Sequence, residues 1–408
     1  MIWCIVGYMW LFLHRPFEVW HWLGDLHIER VYMVFVLMAW VALSNKQLLT
    51  NRVNLAVGLF AFAMIFSSMM SPYTNIFAEG VQSWLKYLVF YILLMTSLKS
   101  ERDLKIVMTG MIICFFIYML HSYREFLNGR YNYAMGTVRM IGVDSTMGSP
   151  NSFGASIVIF LPLLIPLFNL IKNKWHVLFF VAYILLSLRC VQLTGSRSSF
   201  MALAVCLTGM ILLSKHRLTL FPLAMLGSPF LWVLLPENLK NRYRTIWDSS
   251  INESANQSAQ GRLEGFWDGL ANWQSSPIWG VGPDCHGIAS GSGLLSHFLY
   301  SQIPGELGTI GVIAFLMLLF SYWANHLEIL HCCEYIKRKG HGKECEYCYA
   351  VSIATLGSVG LMLFLGLSGH NGYRFTWIWV AAFQAIALSI IKTKMTDLQQ
   401  QELFSKLA

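Results

Sequence analysis

Apolar runs of roughly 17–25 residues, the length that crosses about 30 Å of hydrocarbon as a helix, recur along the chain between short charged or turn-rich breaks. Taken in order they lie near 1–14, 30–44, 53–70, 81–98, 104–121, 152–171, 175–192, 197–214, 218–235, 299–323, 349–368 and 374–391. They predict an all-α polytopic membrane protein of about twelve transmembrane helices. The first two runs are shorter than the rest. Two breaks are long, 122–151 and 236–298, and the second separates the ninth span from the tenth.

Inside that second break the pattern changes. In GRLEGFWDGLANWQSSPIWGVG, residues 261–282, the apolar positions Leu263, Phe266, Trp267, Leu270 and Trp273 recur at helical spacing, with Glu264 and Asp268 off that face. This predicts an amphipathic helix lying along the membrane–water boundary, at the depth that suits tryptophan. Arg262 is expected in its first turn, where free backbone N–H groups favour phosphate. Pro277 should end the helix, and Gly280 and Gly282 permit a tight turn after it.

Composition agrees with the pattern. Of 408 residues, 56% are hydrophobic and 12% charged, against about 25% charged in a soluble domain. The whole chain, 1–408, reads as a single integral membrane domain. Met1 to Leu13 has neither the basic leader nor the small-residue cleavage site of a signal peptide, so it is expected to span. The net charge of +8 would suggest nucleic acid in a soluble protein. Here the positive-inside bias and anionic lipid headgroups account for it, and no nucleic-acid partner is expected.

Lysine sets the orientation. Lys46, Lys99, Lys105, Lys172, Lys215 and Lys337 are among those in the even-numbered loops, whereas the odd loops and their helix ends hold only Lys86 and Lys240. Both termini are therefore expected on the cytoplasmic side and both long loops outside. The outer side still carries positive charge, but as arginine: Arg124, Arg130, Arg139, Arg189, Arg197, Arg242, Arg244, Arg262 and Arg374. An arginine at the bilayer centre costs about 2.5–3.5 kcal/mol. Arg197, in LTGSRSSFMALAV, has no acidic residue near it in sequence. A planar guanidinium matches phosphate and carboxylate oxygens, so an outward arginine cluster in an apolar bundle reads as an anion site. His297, just before the tenth span, titrates near neutrality if unperturbed and can act as a base.

Four stretches carry a family resemblance. They are Arg139, Gly142, Pro150 and Asn151 in RMIGVDSTMGSPNSFG; Gly195-Ser196-Arg197; Arg262 followed by Trp267, Pro277, Gly280 and Gly282; and His297 with Glu306, Gly308 and Gly311. In this order the chain resembles the bacterial O-antigen ligase and O-antigen polymerase superfamily of membrane glycosyltransferases. The resemblance implies a glycan donor carried on a polyprenyl diphosphate, transferred on the periplasmic face of the inner membrane. The acceptor would be a lipid A core or a growing glycan. It implies that Arg197 and Arg262, with Arg139, bind the diphosphate, and that His297 positions the acceptor hydroxyl or acts as its base. Asn151 and Glu306 would support them, with no metal or other cofactor. Phe298 departs from the family pattern, which has Asn after the histidine.

Other features carry less. In HCCEYIKRKGHGKECEYC, residues 331–348 of an inner loop, Cys345 and Cys348 have C-x-x-C spacing with His331, Cys332, Cys333 and His341 nearby. That spacing permits zinc, but adjacent Cys332 and Cys333 suit a tetrahedral site poorly, and reduced thiols are the expectation. Cys285 is the sole cysteine of the long outer loop, which excludes a disulfide within it. Pro162 and Pro166 predict a kink in the sixth span. A transporter or flippase of the same lipid-linked glycan is the rival reading. Transporters place their polar residues mid-membrane in paired broken helices, whereas the informative residues here lie at one rim.

Overall fold

In a computed structural model, the structure describes residues 1–43, 48–76, 78–134, 136–168, 170–214, 217–233, 235, 237–245 and 253–407. Lys46 and Lys215, used above for orientation, lie outside the described residues. The chain begins with α1 (Ile2–His14), the short α2 (Pro16–Val19) and α3 (His21–Asp25), and α4 (Ile28–Val41). Next come α5 (Arg52–Met70), α6 (Glu79–Ser97) and α7 (Glu101–Leu127), then a hairpin of β1 (Asn132–Ala134) and β2 (Thr137–Arg139). After it follow α8 (Pro150–Phe160), α9 (Ile165–Phe168), α10 (Lys174–Thr194), α11 (Arg197–Leu213) and α12 (Arg217–Val233). The long loop contains α13 (Glu237–Arg244), α14 (Glu253–Ser275) and α15 (His286–Ser290). The chain ends with α16 (Leu299–Arg338), α17 (Glu346–Gly366) and α18 (Thr376–Leu407).

Each of the twelve apolar runs coincides with helix. Among the described residues, seven helical segments are long and apolar enough to cross a membrane: α5, α7, α8 with α9, α10, α16, α17 and α18. The protein is thus an all-α, multi-pass membrane protein, and among the described residues strand is confined to the one hairpin. Helix starts follow ordinary capping chemistry. Asn51 accepts from the Val53 amide at 3.0 Å, and Ser100 and Asp103 form a capping box on α7. Large apolar side chains such as Met38, Leu55, Phe62, Leu316 and Phe320 face outward, as lipid-facing positions do when hydrocarbon is the solvent. Inside, α16 packs along α5, α17 and α18. An aromatic knot joins α1, α6 and α18 through Trp379, 4.4 Å from Phe90 and 4.9 Å from Phe12.

Four details refine the expectations. At the predicted kink, Leu161–Leu164 form a 3₁₀ turn because Pro162 and Pro166 cannot donate, and Ser358 of α17 donates to the Ile159 carbonyl at 2.8 Å. The stretch 331–348 is mostly helical: α16 runs to Arg338 and α17 begins at Glu346. Its cysteines are free and buried, and among the described residues no group of His, Cys, Asp and Glu is placed to hold a metal ion. The outer helix α14 starts at Glu253, eight residues earlier than its apolar pattern, because the preceding polar residues are adequate helix formers. Arg262 therefore lies in mid-helix, and the free N–H argument made for it fails. Finally, the apolar face of α14 packs inward only in part, through Phe266 against Phe298. Leu263 and Trp267 are exposed, while Gly269 sits against Ser301 and Gly305 of α16.

The break inside α16 positions this end of the molecule. Gly308 has φ 63°, ψ −164°, splitting α16 into two helical pieces. The segment after α14 fits into the gap. Val281 donates to Gly305 O (2.9 Å), Gly282 to Glu306 O (3.0 Å) and Thr309 to Pro277 O (2.9 Å). A Cβ on Gly280 or Gly308 would lie 2.3–2.4 Å from backbone atoms of the other segment. Only glycine permits that approach.

Candidate active site at one rim of the bundle

Arg197 is placed by the two-residue turn between α10 and α11. Gly195, at φ 58°, ends α10, and the Ser196 side chain accepts from the Ser199 amide to start α11. Arg197 is thus the first residue of α11, half-buried, where the helix dipole already carries partial positive charge and disfavours a cation. Helix α13 packs over this turn. Tyr243 is buried against Phe200 (4.5 Å) and donates to Gln192 O at 3.0 Å. Arg242 Nε donates to Gly195 O at 2.7 Å, and Arg197 Nη1 donates to Thr245 Oγ1 at 3.1 Å.

Arg139 approaches from the hairpin. Its Nε donates to Thr194 O (2.8 Å) and its Nη2 to Asn151 Oδ1 (2.9 Å), while the next amide, Met140, donates to Leu193 O. The guanidinium so caps the carbonyl end of α10, the favourable end for a cation, and fixes Asn151 in the first turn of α8. Burial, followed by Arg242, Arg197 and Arg262, pushes its pKa down to about 9, which leaves it charged at neutral pH. The same order of causes, burial and then Arg197, lowers Arg242 and Arg262. Four arginines are therefore within charge reach of one another. Among the described residues, no carboxylate forms an ion pair with Arg139, Arg197 or Arg262.

His297 stands in the turn before α16. Burial and then Arg262 lower its pKa below the usual imidazole value, so it is neutral and able to take a proton at pH 7. The departure at Phe298 has a packing role, since its ring meets Phe266 of α14 edge-on at 5.5 Å. That contact, with the Gly280–Gly308 stitch, holds the helix bearing Arg262 next to the turn bearing His297.

A cavity of about 290 Å³ opens beside these residues, lined by Asn151, Ser152, Ser198, His297, His370 and Arg374 among others. It contains three residues named from the sequence, Asn151, His297 and Arg374, and reaches Ser198, next to Arg197. Arg197, Arg262 and Arg139 themselves are not in its lining. Glu306 also lies apart from it, buried in the first piece of α16. There it accepts from Gln302 Nε2 at 3.4 Å, and Gln302 Oε1 accepts from the Gly372 amide at 3.2 Å. Glu306 thereby steadies the loop 367–375 from behind.

That loop brings His370, which nothing in the sequence singled out, and Arg374, counted from the sequence among the outward arginines but given no role of its own. His370 stands 5.6 Å from His297, ring centre to ring centre. Although solvent reaches it, burial by surrounding protein, His297 and Arg374 push its imidazole down to about 4. Arg374 donates to Ser156 Oγ and Ser152 O, each at 3.2 Å. Burial lowers its pKa, and among the described residues no carboxylate forms an ion pair with it. The available signal was GHNGYR: a histidine and an arginine four residues apart in a glycine-containing loop between two late spans.

The arrangement can hold a multiply charged anion among guanidinium groups and offer a neutral imidazole beside it. Residues 182–316 match a family model described as O-antigen ligase. Gly195, Arg197, Arg262, His297 and Glu306 fall within that stretch, while Arg139, Asn151, His370 and Arg374 fall outside it. No curated protein matches the chain. The stretch from the middle of α10 to just beyond the break in α16, about a third of the chain, is thus similar to the O-antigen ligase family, which supports the resemblance to the O-antigen ligase and polymerase superfamily.

Proposed function

We propose that this protein transfers a glycan from a polyprenyl diphosphate carrier to an acceptor hydroxyl at the periplasmic face of a bacterial inner membrane. Both termini would then be cytoplasmic. It acts as a ligase onto a lipid A core or as a polymerase of surface-polysaccharide repeats. The family match supports a glycan-transferring role. The observation that carries the reading is the cluster of Arg139, Arg197, Arg242 and Arg262, confined to one rim beside a cavity containing His297.

In this mechanism the diphosphate enters from the lipid and offsets the mutual repulsion and desolvation of the arginines. The acceptor oxygen attacks the anomeric carbon, and the bond from that carbon to the diphosphate oxygen breaks. The bonding pair leaves with the diphosphate, where Arg197 and Arg262 stabilise the added negative charge, usually a large catalytic term. The acceptor proton passes to neutral His297. Arg139 holds Asn151 and the α10–α11 turn in place and presents its remaining nitrogen to the anion. Glu306 supports the opposite wall through Gln302.

Reconstitution with a defined polyprenyl-diphosphate glycan tests this, with lipid A core and a second donor molecule competing as acceptors. Ligated lipid or a lengthened glycan is expected, and which product forms separates ligase from polymerase. Glycan carried across the bilayer without a new glycosidic bond would overturn the reading in favour of a transporter.

A further inference from the structure

The first helices of the chain build a second cavity that the transfer chemistry does not use. It encloses about 260 Å³ and is lined by Arg15, Phe17, His27, Glu29, Arg30 and Lys86, with Gly24 and Ile28 at its edge. It lies at the same end of the bundle as the candidate active site. Arg15 donates to Ser145 Oγ at 3.2 Å and to Thr146 Oγ1, and Ser149, farther along that loop, lines the active-site cavity. Between the two cavities stands Tyr87, within charge reach of Arg15 and Glu29 on one side and of Arg374 on the other.

Its charges are unmatched in a particular way. Arg15 is answered by Glu18 at 2.9 Å. Arg30 and Lys86 are exposed, and among the described residues neither forms an ion pair, nor does Glu29. Lys240, the other lysine of this end, does have a partner, Glu237 at 2.8 Å. The cavity therefore presents two free cations and one free carboxylate. The backbone is also distorted there. Among the described residues, three that are not glycine adopt positive φ, and two of them, Arg15 (φ 47°) and His27 (φ 48°), line this cavity. That conformation costs about 1–2 kcal/mol for an L-residue, and such strain gathers at ligand-binding sites.

We propose that this cavity binds the phosphate-bearing sugar headgroup of a glycolipid, the acceptor of the transfer reaction; this rests on the function proposed above. Arg30 and Lys86 take the phosphate oxygens. Glu29 accepts a hydrogen bond from a sugar hydroxyl, and Phe17 forms the apolar wall for the ring. The exposed Trp20 and Trp22 next to it suit headgroup depth. Phosphatidylcholine would satisfy the cations but offers no donor to the Glu29 carboxylate, and phosphatidylglycerol offers only an open-chain diol with no ring to lie on Phe17. The volume is slightly below the roughly 300 Å³ at which pockets for drug-sized ligands begin, which suits one phosphorylated sugar and not an oligosaccharide.

The test measures binding without turnover. Full-length protein in phosphatidylcholine nanodiscs is titrated with bisphosphorylated lipid A and with its phosphatase-treated form, read by native mass spectrometry, with phosphatidylglycerol as competitor. The phosphorylated lipid should bind at least tenfold more tightly than the dephosphorylated one. Arg30→Gln/Lys86→Gln should erase that difference, Lys86→Arg with Arg30 intact should keep it, and Glu29→Gln should weaken binding several-fold. Thermal unfolding of each variant checks that the fold is retained. Unchanged affinity in the double variant overturns the site, and displacement by phosphatidylglycerol at equal concentration overturns the sugar assignment. A protein that binds the glycolipid but transfers nothing would instead count against the proposed reaction and leave this site standing.

Discussion

The two ends of the helix bundle treat positive charge in opposite ways. At one end, where α5 and α7 start and α16 and α18 run toward their C-termini, cations meet carboxylates. Glu328 takes both Arg52 (2.8 Å) and Lys392 (2.5 Å), Glu101 takes Lys105 and Lys394, and Glu402 takes Lys339. Among the described residues of the other end, carboxylates pair with Arg15, Lys240 and His121 but with none of Arg139, Arg197, Arg262 and Arg374. Nearer the cavity, among the described residues, Arg139, Arg197 and Arg374 donate to hydroxyls, carbonyls and an amide, and Arg262 meets no carboxylate. Like charges gathered in partial burial disfavour one another's charged forms, and an anion bound there, as proposed, would relieve them.

Removing that unbalanced charge should have the largest effect. Arg197→Ala and Arg262→Ala should each lower the rate of transfer by about 10²–10³-fold, the loss typical when one charge-stabilising donor is deleted. Membrane insertion should be normal, because neither arginine pairs with a carboxylate that would be left buried. Lysine at either position should rescue only part of the rate, since a point charge replaces a planar fork. Near-normal transfer by either alanine variant would remove that residue from the mechanism.

Arg374→Ala should come next. Loss of a charged hydrogen-bond donor is worth about 1.5–3 kcal/mol, or on the order of 10–100-fold in transfer. If Arg374 serves only to tie α8 to the loop before α18, thermal stability will fall while the rate per folded molecule holds. The pH profile sharpens the same comparison. Burial and then Arg262 lower His297, so its neutral form persists below the ordinary imidazole range. The acid limb of kcat/KM should therefore fall below pH 6.5, and Arg262→Ala should move it upward toward that value. An acid limb above 6.5 would place a different base in the reaction.

Gly308→Ala should destabilise by about 1–3 kcal/mol, the usual scale for a residue held in a forbidden backbone region, with its Cβ also meeting Ile278 and Gly280. Gly209→Ala, in open space on α11, is the control and should be neutral or mildly stabilising. A lower melting temperature with loss of activity is expected for the first alone.

The sequence made some of this legible and hid the rest for physical reasons. Hydrophobic runs located the helices because lipid demands long apolar segments with internally paired backbones. Pro277, Gly280 and Gly282 announced the turn after α14 because their stereochemistry is local. The start of α14 was not legible, since ESANQSAQ is polar and helical without an apolar stripe to mark it. Nor was the division of labour among the arginines. Arg139 and Arg197 read alike along the chain, yet one caps α10 and the other faces Thr245, because tertiary contacts from the hairpin and from α13 decide it. His370 and Arg374 reach the cavity through folding of the last two helices, and no pattern near residue 297 points to them.

The smallest effect should come from the satisfied end, and it bears on the whole comparison. Glu328→Gln frees Arg52 and Lys392 together, creating at that end two neighbouring cations without their carboxylate. Both are partly exposed, so water and salt take over most of the lost interaction. Stability should change by ~0–1 kcal/mol, and transfer should not change measurably. If unpairing two cations there were as damaging as removing Arg197, charge imbalance as such would be harmful to this bundle. The unpaired arginines at the other rim would then be a general electrostatic burden, with no special claim to an anionic substrate. A near-silent Glu328→Gln beside an inactive Arg197→Ala separates the two, because it shows that the fold tolerates uncompensated charge where water can reach it. What then remains to explain at the cavity is positive charge that protein and lipid shield from water, and an incoming diphosphate is the group that answers it.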